Sequence, residues 1–332
     1  MSWFRQEKVT AAHVMVVGCG ALGNEVLKNL ALFGVGHVVL VDFDKVETSN
    51  LSRSVLFRQA DAAQGRLKVE VAAQRLKELN PSMDIQTICG DISHDVGLGL
   101  IRRMDVIIGC VDNRLARYCI NRLAMRAGVP WVDGGIEGLE GTARVFIPGR
   151  NCYACNLGPE GLKEIGQRFS CARSIRANEE AGRVPTTPVI ASIIGAVEAQ
   201  EAMKLIHREQ LESGEMTSLC GKMFCYEGQH LTTKTVDFAA YDEDCPVHEL
   251  WEPVIQTEMT IDHTVREVID RLRTTLQVAH VSWESYYNNE YRSIDADCPY
   301  LDYTLGQLGI PDEEVLWVHS ENGDKYIALR AK

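Results

Sequence analysis

Through the first 135 residues the chain alternates two hydrophobic rhythms. Short β-branched runs, "HVMVVG" (13–18), "HVVLVD" (37–42), "DIQTIC" (84–89), "DVIIGCVD" (105–112) and "PWVDGG" (130–135), predict strands. Between them, "ALGNEVLKNLALFG" (21–34), "QGRLKVEVAAQRLKELNP" (64–81) and "NRLARYCINRLAMRAG" (113–128) carry apolar residues at helical spacing. The first helix stops at glycine and the second at Asn-Pro, both ordinary terminators. This alternation predicts an α/β fold, a Rossmann-like doubly wound parallel sheet flanked by helices. "GTARVFIP" (141–148) opens a different rhythm, and with strands expected in 216–227 and 230–238 the sheet should be extended by antiparallel strands. A long helix pattern over 184–207 has a Thr-rich start and small residues along one face, which suits close packing.

From about residue 250 the pattern changes: Trp and Tyr become more frequent, and no glycine stands between Gly228 and Gly306. Residues 260–277 read as a turn and helix, and "VLWVHS" and "KYIALR" as terminal strands. A boundary near 249–258 is expected, separating a first domain (1–250) from a small C-terminal α+β domain (258–332).

Composition narrows the class. A hydrophobic share of 45% with 24% charged residues is ordinary for a soluble globular chain. No run of 18 apolar residues occurs, and the start "MSWFRQEKVTAAH" lacks a secretory apolar segment, so a cytoplasmic protein with no membrane partner is expected. A net charge of −12 argues against nucleic acid as the main partner. The charge is uneven: residues 1–150 carry 18 basic against 16 acidic side chains, and residues 249–332 carry 7 against 16. That acidic end either steers a basic partner or is simply a solvated surface. Eleven cysteines, an odd number in a chain expected to stay reduced, point to metal binding or thiol chemistry before disulfides.

Gly18-Cys19-Gly20-Ala21-Leu22-Gly23 follows a predicted strand and opens a predicted helix. There Gly18, Gly20 and Gly23 allow a tight turn and close backbone approach, and the helix N-terminus favours phosphate. Asp42 ends the next strand, where an acid can hold ribose hydroxyls. Alone this says only "nucleotide", with a nicotinamide cofactor as the default. The following residues do not suit a dehydrogenase. "DFDKVETSNLSRSVLF" (42–57) supplies acids, Asn50 and Arg53, "GRLK" (65–68) supplies Arg66 and Lys68, and "CVDNRLAR" (110–117) supplies Asp112, Asn113 and Arg117. Separate carboxylates with several cations are what a triphosphate and Mg²⁺ require, the acids holding metal and the cations neutralising phosphate oxygens.

At this point the chain resembles the ubiquitin-activating-enzyme (E1)-like adenylating enzymes, with relatives among the molybdopterin- and thiamine-pathway activators of sulfur-carrier proteins. The matching elements are "GCGALG", "DFDKVETSNLSRSVLF", "GRLK", "DNRLAR", "NCYAC", "PTTPVIASIIGAVEAQEAMKL" and "DCPVH", over roughly residues 13–248. The resemblance implies that ATP and the C-terminal glycine of a ubiquitin-like protein form an acyl-adenylate and pyrophosphate. By matching motifs, Asp42 would hold the ribose, Asn50, Arg53 and Lys68 would face phosphates, Asp112 would hold Mg²⁺, and Asp44 would line the same pocket. Where the family often has Gln after the loop arginine, Ser54 stands here.

Cys152-Tyr153-Ala154-Cys155 and Cys245-Pro246-Val247-His248 are two pairs of N/S donors, each with two intervening residues, and together they match tetrahedral structural Zn²⁺. The resembled site is usually four cysteines, with His248 replacing the last. A redox role for the CxxC is the competing reading, although no thioredoxin pattern surrounds it.

Cys171 lies in "RFSCARSIRANEEAGRVP", flanked by Arg168, Arg173 and Arg176, cations that would stabilise a thiolate. Its place, in a crossover loop of about 156–184, resembles the E1 catalytic cysteine, which takes the ubiquitin-like protein as a thioester. The competing reading is a loop cysteine in an enzyme that stops at the adenylate. Cys19, Cys89, Cys110 and Cys119 are expected to be packing residues. The C-terminal domain weakly resembles the ubiquitin-fold domain that recruits an E2 conjugating enzyme, and a generic α+β domain is the alternative. The resemblance further implies a dimer, as homodimer or heterodimer, in which an arginine such as Arg5 acts in trans.

Overall fold

A computed structural model describes residues 3–158, 160, 161, 163, 165, 186–238, 240–287 and 290–332. Cys171 and its three flanking arginines therefore lie outside the described residues, as does most of the expected crossover loop.

The chain divides into two compact units, one of residues 1–92 and 104–248, the other of 93–103 and 249–332. In the first, strands β1 (His13–Val17), β2 (His37–Val41), β3 (Asp84–Ile88), β4 (Val106–Gly109), β5 (Trp131–Glu137), β6 (Glu140–Phe146), β7 (Lys222–Glu227) and β8 (Thr232–Asp237) form one sheet. Its order is β3-β2-β1-β4-β5-β6-β7-β8. Pairing is parallel from β3 to β5 and antiparallel from β5 to β8, as the change of rhythm at residue 141 predicts. β7 starts only at Lys222, so residues 216–219, included in the predicted strand, run as an irregular approach to it.

Among the described residues the helices include α1 (Gln6–Ala11), α2 (Ala21–Phe33), α3 (Gln59–Ala63), α4 (Lys68–Leu79), α5 (Leu98–Arg102), α6 (Arg114–Ala127), α7 (Pro188–Ile206), α8 (Arg208–Glu212) and α9 (Val265–Leu276). The Thr-rich start of α7 is a helix cap: the Thr187 hydroxyl accepts from the Ile190 N–H, and Pro188 occupies the first turn. The small-residue face of α7 meets α2. A Cβ on Gly195 would stand 2.8 Å from the Glu25 Cβ and 3.3 Å from the Val26 nitrogen, so only glycine permits this approach.

In the second unit, β9 (Val254–Gln256), β10 (Val281–Tyr287), β11 (Glu290–Ile294), β12 (Val315–Ser320) and β13 (Lys325–Ala328) make a sheet of order β11-β10-β12-β13-β9. β9 and β13, first and last, pair in parallel. α9 starts at a reciprocal Thr264–Glu267 capping box and buries Val265, Val268, Ile269 and Leu272 with Trp283, Val318 and Ile327. Ser93–Arg103, inside the sequence span expected for the first domain, folds with this unit. The Gly99 N–H donates to the Glu313 carbonyl at 2.8 Å, and the Leu98 N–H to Glu314 Oε1 at 3.1 Å.

Candidate active site and metal centre

The parallel sheet reverses direction of growth between β1 and β4, and in such sheets ligands bind outside the carboxyl ends of the strands at that switch point. The loops after β1, β2 and β4 all open there. Gly18 has φ +95, and a Cβ on it would stand 2.4 Å from the Cys110 carbonyl oxygen; one on Gly23 would stand 2.0 Å from the Gly18 oxygen. These two glycines are required by backbone contact. Gly20, the N-cap of α2, has nothing within 4 Å of its virtual Cβ, so the helix N-terminus stays open to an anion.

Asp42 organises this edge. Its Oδ2 accepts from the Cys19 N–H at 2.7 Å and its Oδ1 from the Asp44 N–H at 2.8 Å. Burial pushes the Asp42 carboxyl above its usual range, against the pull of Lys68 and the two amides. Lys68, the first residue of α4, is buried and puts Nζ 2.6 Å from Asp44 Oδ2. Burial works against its charge, but Asp42 and Asp44 outweigh it and raise the ammonium pKa, so the cation persists.

Asn50 and Arg53 lie in the loop after Asp44. Asn50 Oδ1 accepts from the Glu47 N–H at 2.9 Å, and Arg53 Nη1 donates to the Ser49 carbonyl at 2.7 Å. Asp112 and Asn113 are exposed at the end of β4, where Asn113 caps α6 by accepting from the Ala116 N–H at 2.8 Å. Arg117 turns inward. Its Nε donates to Asp133 Oδ1 at 2.9 Å, and Nη2 donates to the carbonyls of Val111 (2.7 Å) and Gly134 (2.9 Å), so it braces the β4 and β5 ends.

Sequence reasoning missed several residues here. Asn24, fully buried, donates to the carbonyls of Cys19 (2.8 Å) and Gly20 (2.9 Å) and accepts from the Leu56 N–H (2.8 Å), tying the glycine loop to the loop carrying Arg53. Asp133 pairs with Arg117 and Arg144, and Glu198 lies buried over Gly134. The available signal was a lone polar residue within an apolar helix face, as in "ALGNEV" and "GAVEAQEA".

Among the other thiols, burial raises Cys19 and Cys110 well above the usual range and pushes Cys119 up to about 12, so all three stay protonated. Cys89 departs from its expectation as a packing residue. β3 ends at Ile88, and Cys89 is exposed. Arg5 is the N-cap of α1, and its N–H donates to His207 Nε2 at 2.9 Å.

Cys152, Cys155, Cys245 and His248 converge, with all four donor atoms within 4.8 Å of one another. Cys152 Sγ is 3.7 Å from the sulfurs of both Cys155 and Cys245, and Cys155 Sγ is 3.2 Å from His248 Nε2. Tetrahedral Zn–S bonds of about 2.3 Å imply S···S edges of about 3.8 Å, so the donor set fits zinc in size and chemistry. An ion held by all four would have only protein atoms at its vertices, the arrangement of a structural site with no open position.

The ThiF family pattern matches residues 4–247. The chain is 34% identical over 242 residues to the SAMP-activating enzyme E1 of Haloferax volcanii, covering 73% of this chain and 82% of that protein. It is 33% identical over 224 residues to the mouse adenylyltransferase and sulfurtransferase MOCS3, covering 67% of this chain but only 44% of that protein. The crystal structure of E. coli MccB with succinimide superposes with a TM-score of 0.59 at 22% identity, covering 73% of this chain and 67% of that one. That last likeness is one of fold.

Proposed function

Since the chain belongs to the ThiF family and is an E1-like adenylating enzyme, we propose that it activates the C-terminal glycine of a small ubiquitin-like protein with ATP. A carboxylate oxygen of that glycine attacks the α-phosphorus, the bond to the bridging oxygen of the β-phosphate breaks, and pyrophosphate leaves with the electron pair. The acyl-adenylate remains. The observation that carries this reading is the convergence of the Gly18–Gly20 loop, the Asp42–Asp44–Lys68 group and Asp112 on one sheet edge.

In this reading the open α2 N-terminus and Lys68 take phosphate oxygens, Asp42 orients the ribose, and Asn50 and Arg53 close the phosphate side. Arg117 and Asp133 hold the β4 and β5 ends at fixed separation. Mg²⁺, when held by Asp112 with Asn113 beside it, supplies neutralisation of the phosphates. Zn²⁺ on Cys152, Cys155, Cys245 and His248 staples two distant segments of the first unit. Asp112→Ala should lower ATP–pyrophosphate exchange driven by the ubiquitin-like substrate by at least about 100-fold. Unchanged exchange overturns the assignment of this edge as the ATP site.

The finer reading is a second step. The Cys171 thiolate attacks the adenylate carbonyl, AMP leaves, and the thioester passes to an E2 that the acidic second unit helps to recruit. The arginine-rich setting of Cys171 and the similarity to a relative named an activating enzyme E1 support it. Cys171→Ala should keep the exchange and lose an adduct that reducing agent cleaves. If wild type forms no such adduct, the enzyme stops at the adenylate of a sulfur-carrier protein, the reading that the relatives named sulfur carrier protein adenylyltransferases favour. Assembly as a dimer with Arg5 acting in trans belongs to the same proposal.

A further inference from the structure

Each sulfur of the Cys152, Cys155, Cys245 and His248 cluster receives at least one N–H. Cys155 Sγ accepts from the Cys152 backbone N–H at 3.5 Å, and Cys245 Sγ from the Val247 N–H, so both donors belong to the ligands' own turns. Cys152 Sγ likewise accepts from its own turn, the Cys155 N–H, and in addition from a side chain, Asn121 Nδ2 on α6, at 3.3 Å. Asn121 and Cys152 are both wholly buried.

The orientation of the Asn121 carboxamide is dictated by its neighbours. Its oxygen accepts from Trp131 Nε1 at 3.2 Å and from the Tyr153 N–H at 3.0 Å. Both of those groups can only donate, so the oxygen must face them and the amino group must face the sulfur. A buried N–H aimed at sulfur suits an acceptor, a thiolate, rather than a thiol with a proton of its own. Three thiolates and a neutral imidazole around a divalent cation leave a net negative charge in a buried place. There each N–H donor counts for more than it would in water.

We propose that Asn121 is a positioning residue of the metal centre. It draws charge from the Cys152 thiolate and locks the Cys152–Cys155 turn against β5 through Trp131. The role rests on the zinc reading of the cluster, and the test separates the two. Full-length wild type should carry stoichiometric zinc by elemental analysis. Asn121→Leu, close in size but without the donor, should release zinc to a colorimetric chelator roughly tenfold faster or more. In the cobalt-substituted chain, the same change should move the sulfur-to-metal charge-transfer band to longer wavelength, because the thiolate gives up charge more readily. Asn156→Ala is the control: it loses bonds to two oxygen acceptors, the Cys152 carbonyl at 2.8 Å and Asn151 Oδ1 at 2.6 Å, so it should leave the band in place.

A measurement on the unaltered chain needs no variant to fold. With a spin-active cadmium isotope and isotope-labelled asparagine, one side-chain N–H should show scalar coupling to the metal. No such coupling, or release and band at wild-type values in folded Asn121→Leu, overturns the role of Asn121 while leaving the zinc site standing. A wild-type chain without bound metal overturns the zinc reading, and this role with it.

Discussion

Glu198 carries a carboxyl wholly buried over Gly134, with neither oxygen bonded to a donor among the described residues. Burial drives its pKa well above the carboxylate range, Asp133 adds to the rise, and Arg117 only opposes it. The folded chain therefore holds a proton here that the unfolded chain releases near pH 4.3, the ordinary glutamate value. Stability from this group is complete below that pH and is lost as pH rises toward the folded pKa. Glu198→Gln should flatten the fall of melting temperature between about pH 5 and pH 8. An unchanged slope would mean that Glu198 is ionised in the fold. Asp42 was legible from its place at a strand end, because loop chemistry is local. The Glu198 environment was not, because it depends on α7 crossing β5 at a glycine.

The contact of α2 with α7 decides whether the glycine loop has a rigid base. The small-residue face of α7 was visible in sequence as Ala191, Gly195, Ala199 and Ala202, all buried. What it packs against was not visible. Gly195→Val should press its side chain into Glu25 and Val26 and cost about 1–3 kcal/mol or more. Urea unfolding checks this, with a lowered midpoint expected at unchanged slope. α6 shows the same division. Its start at "DNRLAR" was legible, whereas the inward turn of Arg117 onto Asp133 required β5 beside it.

Across the whole chain, the second unit draws in Ser93–Arg103 from the middle of the sequence. Removing residues 258–332 should therefore lower the melting temperature of what remains, since the Leu98 and Gly99 N–H groups lose their acceptors on Glu314 and Glu313. A truncated chain that melts like wild type would show that 93–103 is held without it. The sequence by itself determined the alternating strands and helices, the open glycine turn and the two pairs of zinc-type donors. Each of these depends on residue type and short spacing, which set local backbone geometry. That Cys152 and Cys245, 93 residues apart, belong to one cluster was expected from the paired spacings, and the structure sets their sulfurs 3.7 Å apart. Only the tertiary structure decided that Asn24 and Asn121 tie loops together, and that 93–103 joins the second unit. Those outcomes come from long-range packing, where a buried polar group must find a partner wherever the fold brings one.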